Sequence, residues 1–164
     1  MKTIPMKTIP RKQSGITIVE FTLLASVLLL ILFAIIEIAI YAYSLQSMSD
    51  MSRRAARIAA VCVVNDSDIK TLALSEGAPD GFTADNLEIE YLDSAGSVLV
   101  DPVANHVSIH YVRARIVDFD YGFSGLLSFL GNNGLVPVAG FQTILPAESL
   151  GVLRSDDSDA KTEC

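Results

Sequence analysis

Few residues of this 164-residue chain stand at spacings that could do chemistry, and the first of them is Glu20. It lies five residues after Gly15 and directly before Phe21–Ile36, sixteen residues without a charge. An ionisable group inside a membrane-length apolar run is costly, and it marks a functional position by default. The chemistry open to it is that of an active-site acid, a proton relay or one half of an ion pair. If the run is a helix in a bilayer, Glu20 needs a cation that its own helix does not supply.

The remaining reactive residues carry less. His106 and His110 fall four apart on an expected strand, which puts them on one face roughly 13 Å from each other. That is too far for one metal ion, so they read as two surface histidines. Asp66-Ser-Asp68 and Asp118-Phe-Asp120 resemble pieces of calcium loops but have neither the further spaced ligands nor the closing glutamate. No nucleophile elbow, phosphate loop, HExxH or CxxC occurs. The chain therefore reads as non-enzymatic, without metal or cofactor. Cys62 and Cys164 are the two cysteines, and in an oxidising compartment they would bond if their geometry allowed. The alternative is a buried apolar Cys62 and an incidental thiol at Cys164.

These residues have to be positioned by elements, and the first element is a membrane-length helix. A spanning helix needs about 20 mainly apolar residues. Ile16–Tyr43 offers 28, interrupted by Glu20 and Glu37, with Tyr41 and Tyr43 placed as interfacial aromatics. The stretch is too long for a secretory h-region, and no small-residue cleavage site follows it. Lys2, Lys7, Arg11 and Lys12 precede it without any acid, which assigns the N-terminus to the cytoplasm and the rest to the far side. Arg53, Arg54 and Arg57 compete with that orientation, but Asp50 is within helical pairing reach of the first two. All 19 acids lie after Gly15 with eight of the 12 basic residues, a net of −11. A domain so acidic has no basic stripe for phosphates, so nucleic acid is excluded as a partner.

The helical period continues past the membrane segment. Met48, Met51, Ala55, Ile58, Ala59 and Cys62 recur at spacings of three and four. With no Gly or Pro in between, one helix is expected from Ile16 to about Val63. Asp66 or Ser67 caps a short helix running to Leu74. After the Ala78-Pro79-Asp80-Gly81 turn the period changes to two. Leu87–Leu92 reads as a strand, and the Ser94–Ser97 turn leads to a hairpin partner at Val98–Val100. His106–Val117 reads as the longest strand, with a phase switch and bulge near Tyr111. Tyr121–Leu130 is apolar and punctuated by glycine, and a last strand is expected over Val138–Leu145. The fold class is thus α+β: a long N-terminal transmembrane helix continuing into a small exported domain with an antiparallel β-sheet. The expected boundaries are a leader at 1–15, the transmembrane helix at 16–44 and its exported continuation at 45–64. The α+β domain occupies 65–154 and an acidic tail 155–164. Met1–Pro5 repeats as Met6–Pro10, which leaves two candidate start methionines.

The stretch Arg11-Lys12-Gln13-Ser14-Gly15 followed by Ile16-Thr17-Ile18-Val19-Glu20-Phe21 resembles the class III signal of type IV pilin-like precursors. It is most similar to TadE-like minor pseudopilins of the Flp/Tad (type IVb) pilus system. The resemblance covers Arg11 to about Ala60, and Arg154 resembles the basic residue that closes many such domains. It implies that prepilin peptidase cuts between Gly15 and Ile16. It also implies that Glu20, with Phe21 behind it, aligns the subunit with its neighbours. Glu20 would then pair with the new α-amino group of another subunit, the cation missing from its own helix. Type II secretion pseudopilins share the glutamate but usually carry phenylalanine directly after the cut, where this chain has Ile16. Major Flp pilins are little more than one helix, so the further 100 or so residues here imply a minor subunit.

The implied partners are prepilin peptidase, other pilin or pseudopilin subunits, the inner-membrane assembly platform and the membrane. The implied location is the bacterial inner membrane, single-pass with the C-terminal domain periplasmic, or the pilus itself. Two other functions fit the residues: an uncleaved single-span scaffold, and an adhesive tip domain. Ala25, Ser26 and Ala34 offer small faces for another apolar helix. Glu37 lies about 100° around the helix from Glu20, so the two cannot share a partner stripe. An outer-interface position is the preferred reading for it.

Overall fold

A computed structural model describes residues 16–74, 76–123, 125–138, 140–152 and 164. The expected leader with Gly15, the basic Arg154 and the acidic tail apart from Cys164 lie outside the described residues.

Helix α1 runs unbroken over Ile16–Val61. No Gly or Pro interrupts this stretch, so nothing removes a backbone hydrogen bond from it. Its 46 residues extend roughly 69 Å at 1.5 Å each. The helix is long and apolar enough to cross a membrane, and none of its most apolar window is buried. The other half carries the domain. Met48, Met51, Ser52, Ala55, Ala56, Ala59 and Ala60 are all buried, whereas Arg53, Arg54 and Arg57 are exposed on the opposite side. Asp50 does not pair with these arginines; the ion pairs among the described residues belong to the sheet.

The expected end near Val63 is close to the observed one, and long-range contacts fix it. Asn65 takes a left-handed φ of 63°, a conformation that cannot continue the helix. The Ala60 carbonyl accepts the Glu148 and Leu150 N–H groups, each at 3.2 Å, and the Val61 carbonyl accepts that of Gly151 at 2.7 Å. The Ser149 hydroxyl also donates to Val61 at 3.1 Å. Carbonyls left over at the helix end are thus satisfied by the other end of the domain. Helix α2 follows at Asp68–Ala73. Asp66 rather than Ser67 caps it: its Oδ1 accepts the Asp68 N–H at 2.9 Å, while Ser67 makes no side-chain cap.

The main sheet has three strands, β1 (Leu87–Leu92), β2 (Tyr111–Ile116) and β5 (Gln142–Pro146), antiparallel in the order β1-β2-β5. A separate antiparallel pair is formed by β3 (Asp120–Gly122) and β4 (Leu135–Pro137). Alternation sets the faces of β2. Val112, Ala114 and Ile116 are buried towards α1, and Arg113 and Arg115 point away. Register puts Glu88 opposite Arg115 and Glu90 opposite Arg113. The resulting ion pairs measure 2.8 Å and 2.6 Å, with Arg115 reaching Glu90 at 3.5 Å. Cross-strand pairs that keep partial contact with solvent, as Arg115–Glu88 does, contribute about 0.2–1 kcal/mol each. On the inner face the Ser52 and Thr143 hydroxyls meet at 3.1 Å, pinning β5 to the helix.

Three expectations over the strands need correction. His106–Ser108 is a 3-10 helix, and the strand begins only at Tyr111. The phase switch near Tyr111 therefore marks a strand end, not a bulge, and the two histidines do not share a strand face. Val98–Val100 forms no strand; a single bridge joins Val98 to Leu92 beyond a turn in which Gly96 has φ 81°. The expected strand at Val138–Leu145 begins later, at Gln142, and includes Pro146, which an edge strand tolerates.

Leu87 is fully buried and Val107 is 95% exposed. Leu87→Ala should therefore lower stability by about 2–5 kcal/mol, and Val107→Ala should change it by less than about 0.5 kcal/mol. Denaturant titration of the full chain in detergent micelles, followed by hydrogen exchange at the β2 amides, checks both.

Candidate functional site

The two acids of the apolar helix are treated differently by the fold. Glu20 lies one turn into α1, where Ile18, Val19, Phe21, Leu23 and Leu24 are all more than half exposed. It is itself exposed, and among the described residues no hydrogen bond or ion pair reaches it. Phe21, beside it, is 71% exposed. Ile16 opens the helix, while Gly15 falls outside the described residues. The site expected from Gly15 to Phe21 is thus a bare helical surface bearing one carboxylate and several large apolar groups. Nothing here resembles a catalytic constellation. What such a surface can do is pack against another helix and accept a cation or hydrogen-bond donor from it.

Glu37 has its partner within the chain. Its Oε2 accepts the Leu127 N–H at 2.7 Å, in the segment joining β3 to β4. That segment comes so close that a Cβ on Gly125 would collide with the Glu37 carboxylate. One turn further along α1, Tyr41 packs on Tyr121 and Phe123 at ring-centroid distances of 4.9 Å and 5.3 Å. Tyr121 and Phe123 also meet each other edge to face at 5.2 Å. The covered stripe of the helix therefore begins at Glu37 and continues through Tyr41, Ser44 and Met48. Sequence reasoning left Glu37 without a role. The available signal was the charge-free run from Tyr121 to Ala147, which has no reason to be apolar unless something apolar lies beside it.

The cysteines meet at the opposite end of the domain. Cys62, just past α1 and buried, is disulfide-bonded to Cys164, with 5.7 Å between their Cα atoms. The bond closes a sequence separation of 102 residues. Asp66 holds the same junction from the other side. Its Oδ1 accepts the Asp68 N–H and its Oδ2 accepts the Cys164 N–H, both at 2.9 Å. These two bonds, the one to Asp68 first, hold its carboxyl below the ordinary value. Nearby, the buried Tyr91 hydroxyl accepts the Asn65 N–H at 3.2 Å, and burial pushes its pKa up.

The histidines and the remaining acids do not converge. Leu150 lies beside His106, whose Nε2 is 3.4 Å from its carbonyl, and His110 is exposed. Asp118 has a left-handed φ of 49°, while Asp120 begins β3. Among the described residues no three His, Cys, Asp or Glu side chains are grouped to hold a metal ion.

Fold and helix together define a class: α+β proteins in which one long N-terminal helix, apolar over its first half, carries a small antiparallel sheet on its second. Residues 15–57 match the family model described as TadE-like protein. That match supports a TadE-like protein of Tad pilus systems, and it fits a single-pass membrane protein associated with the components of such a system. The matched segment starts at the glycine before α1 and ends on the exposed Arg57 within it; the sheet lies beyond the match. No curated protein and no solved structure matched the chain.

The Asp66 clasp has a pH signature. A carboxyl whose native pKa is depressed contributes stability above its ordinary value, here 3.8, and loses it as pH falls through the lower native value. The protection factor of the Cys164 amide, corrected for intrinsic exchange, should fall in that acid window, and Asp66→Asn should remove the transition.

Proposed function

We propose that this chain is a minor pseudopilin acting in assembly of a Flp/Tad-type pilus. The observation that carries this reading is Glu20: an exposed, unpartnered carboxylate on an apolar helical surface, inside the segment that matches the TadE-like family. A carboxylate so placed is stabilised only when another molecule brings a positive group to it. Cleavage by prepilin peptidase between Gly15 and Ile16 creates such a group, the α-amine of Ile16, on every processed subunit. In a bundle of staggered helices the amine of one subunit then pairs with Glu20 of the next, while Phe21 and its neighbours pack in the interface. The helix anchors the chain in the inner membrane before assembly, with the acidic domain on the periplasmic side. The family is not known for enzymes, and the function is structural.

The test is the mature N-terminus. Mass spectrometry should find a product beginning at Ile16 in cells with active prepilin peptidase. A chain that still begins at Met1 or Met6 there would indicate an uncleaved membrane scaffold instead. Glu20→Ala should be processed normally yet fail to support piliation; normal piliation by this variant would remove the role given to Glu20.

We further propose that the Cys62–Cys164 bond forms on the oxidising side of the membrane and closes the domain. A loop of about 100 residues gives stabilisation of up to about 5 kcal/mol in the chain-entropy model. Alkylation with and without prior reduction should find both thiols blocked in protein from intact cells. Reduction should lower the denaturation midpoint, and an unchanged midpoint would show the bond to be dispensable.

A further inference from the structure

We propose that the segment joining β3 to β4 is a second membrane contact, a foot that sets Leu126, Phe129 and Leu130 into the outer headgroup–acyl boundary beside α1. The occupant of this apolar surface is lipid. The proposal rests on reading the first half of α1 as the membrane anchor.

Three observations lead to it. The first is position. A hydrocarbon core needs about 20 helical residues, so a span placed within the apolar stretch Ile16–Tyr43 has its outer boundary between Ile35 and Tyr43, centred near Ala39. Glu37 and Tyr41 bracket that level. The β3–β4 segment is bound to both, through the Leu127 N–H on Glu37 and the Tyr121–Phe123 contacts on Tyr41. It descends the helix from Tyr41 to Glu37, towards the apolar half and away from the sheet.

The second is chemistry. From Tyr121 to Ala147 the chain has no charged residue, although its net charge is −7. Leu126, Phe129 and Leu130 are 39%, 74% and 37% exposed. In water these groups form an apolar patch with nothing to cover it. The segment that carries them lies against Glu37, whose neighbours on the helix, Phe33, Ile36 and Ile40, are each about half exposed. A soluble face would place charges among them; a lipid-facing one would not.

The third is the tether. Glu37 is an acid near the boundary, and its hydrogen bond to a backbone N–H satisfies it there without a cation. The same bond holds the foot against the helix, and Gly125 permits the approach because any side chain would strike the carboxylate. Tyr41, Tyr121 and Phe123 form an aromatic collar at the level where such rings collect.

The chain contains no tryptophan, so an introduced one reports alone. Full-length Phe129→Trp and Leu126→Trp would be placed in phosphatidylcholine–phosphatidylglycerol vesicles containing lipid brominated either near the top or near the middle of its acyl chains. Insertion to a depth of about 5–10 Å predicts blue-shifted emission, quenched by about half with the shallow bromines and less with the deep ones. Val107→Trp, beyond the far end of the domain, should not respond. Leu28→Trp, in mid-span, should be quenched best by the deep bromines. Unquenched Trp at 126 and 129 with a quenched Leu28→Trp overturns the foot and leaves the anchor standing. Failure of Leu28→Trp as well overturns the anchor itself. Trp at 129 that is shielded yet insensitive to bromine means that protein, not lipid, covers the surface, and also overturns the proposal. Gly125→Val should abolish quenching of Phe129→Trp while leaving that of Leu28→Trp unchanged.

Discussion

The packing of β2 and β5 on a stripe of small and sulfur-containing side chains along α1 is what the rest of the molecule depends on. Ala55, Ala56, Ala59 and Ala60 are small enough for the sheet to approach the helix closely, and Met48 and Met51 are buried in one cluster with Leu87, Ala114 and Ile116. The other elements are arranged around it, with α2 and the β3–β4 segment also touching the helix directly. Strand β1 reaches the helix mainly by way of β2, and α2 closes the side with Ile69 and Ala73. The helix in turn cannot bend away from the sheet, since no Gly or Pro gives it a hinge. One rigid rod therefore serves two solvents: its first half faces outward with apolar side chains, and its second half is the backbone of a folded domain.

That arrangement distinguishes the two glutamates. Both interrupt an apolar helix, and only Glu20 stands in a sequence context, five residues after Gly15, that suggests a use for it. The fold separates them further: Glu37 lies on the stripe the domain covers and is satisfied by a main-chain donor, whereas Glu20 lies beyond the reach of the domain. The first acts within a molecule. The second is left exposed on the apolar half of the helix, open to a partner from another molecule, and the proposed assembly role rests on that difference.

Much of this was legible in the residues. The uninterrupted helix, the α+β class and the strand at Leu87–Leu92 follow from periodicity, and Glu20 stands out because a charge in an apolar run has few neutral explanations. Other features failed for identifiable reasons. Val107 alternates with Ile109 as a strand residue would, yet Val107 is almost fully exposed and the backbone there is a 3-10 turn. Strands β3 and β4 have three residues each, too short to show a period, and their glycine and proline suggest turns. The partner of Glu37 is a backbone N–H 90 residues away. A main-chain donor has no residue type to search for, so only the fold could reveal it. The Cys62–Cys164 pairing depended in the same way on where the last residue lies.

The end of α1 is completed by residues 148–151 and by Cys164, all distant from it in sequence. This has a consequence in time. The long helix is synthesised early, but the groups that cap it follow some 88 residues later. The sheet cannot close earlier, because β5 begins only at Gln142 and pairs with β2. Until that stretch has been made, the alanine stripe stays uncovered and the helix end keeps open carbonyls. Closure of the domain therefore waits on its most distant strand, and a chain truncated before Gln142 would present a bare, adhesive rod.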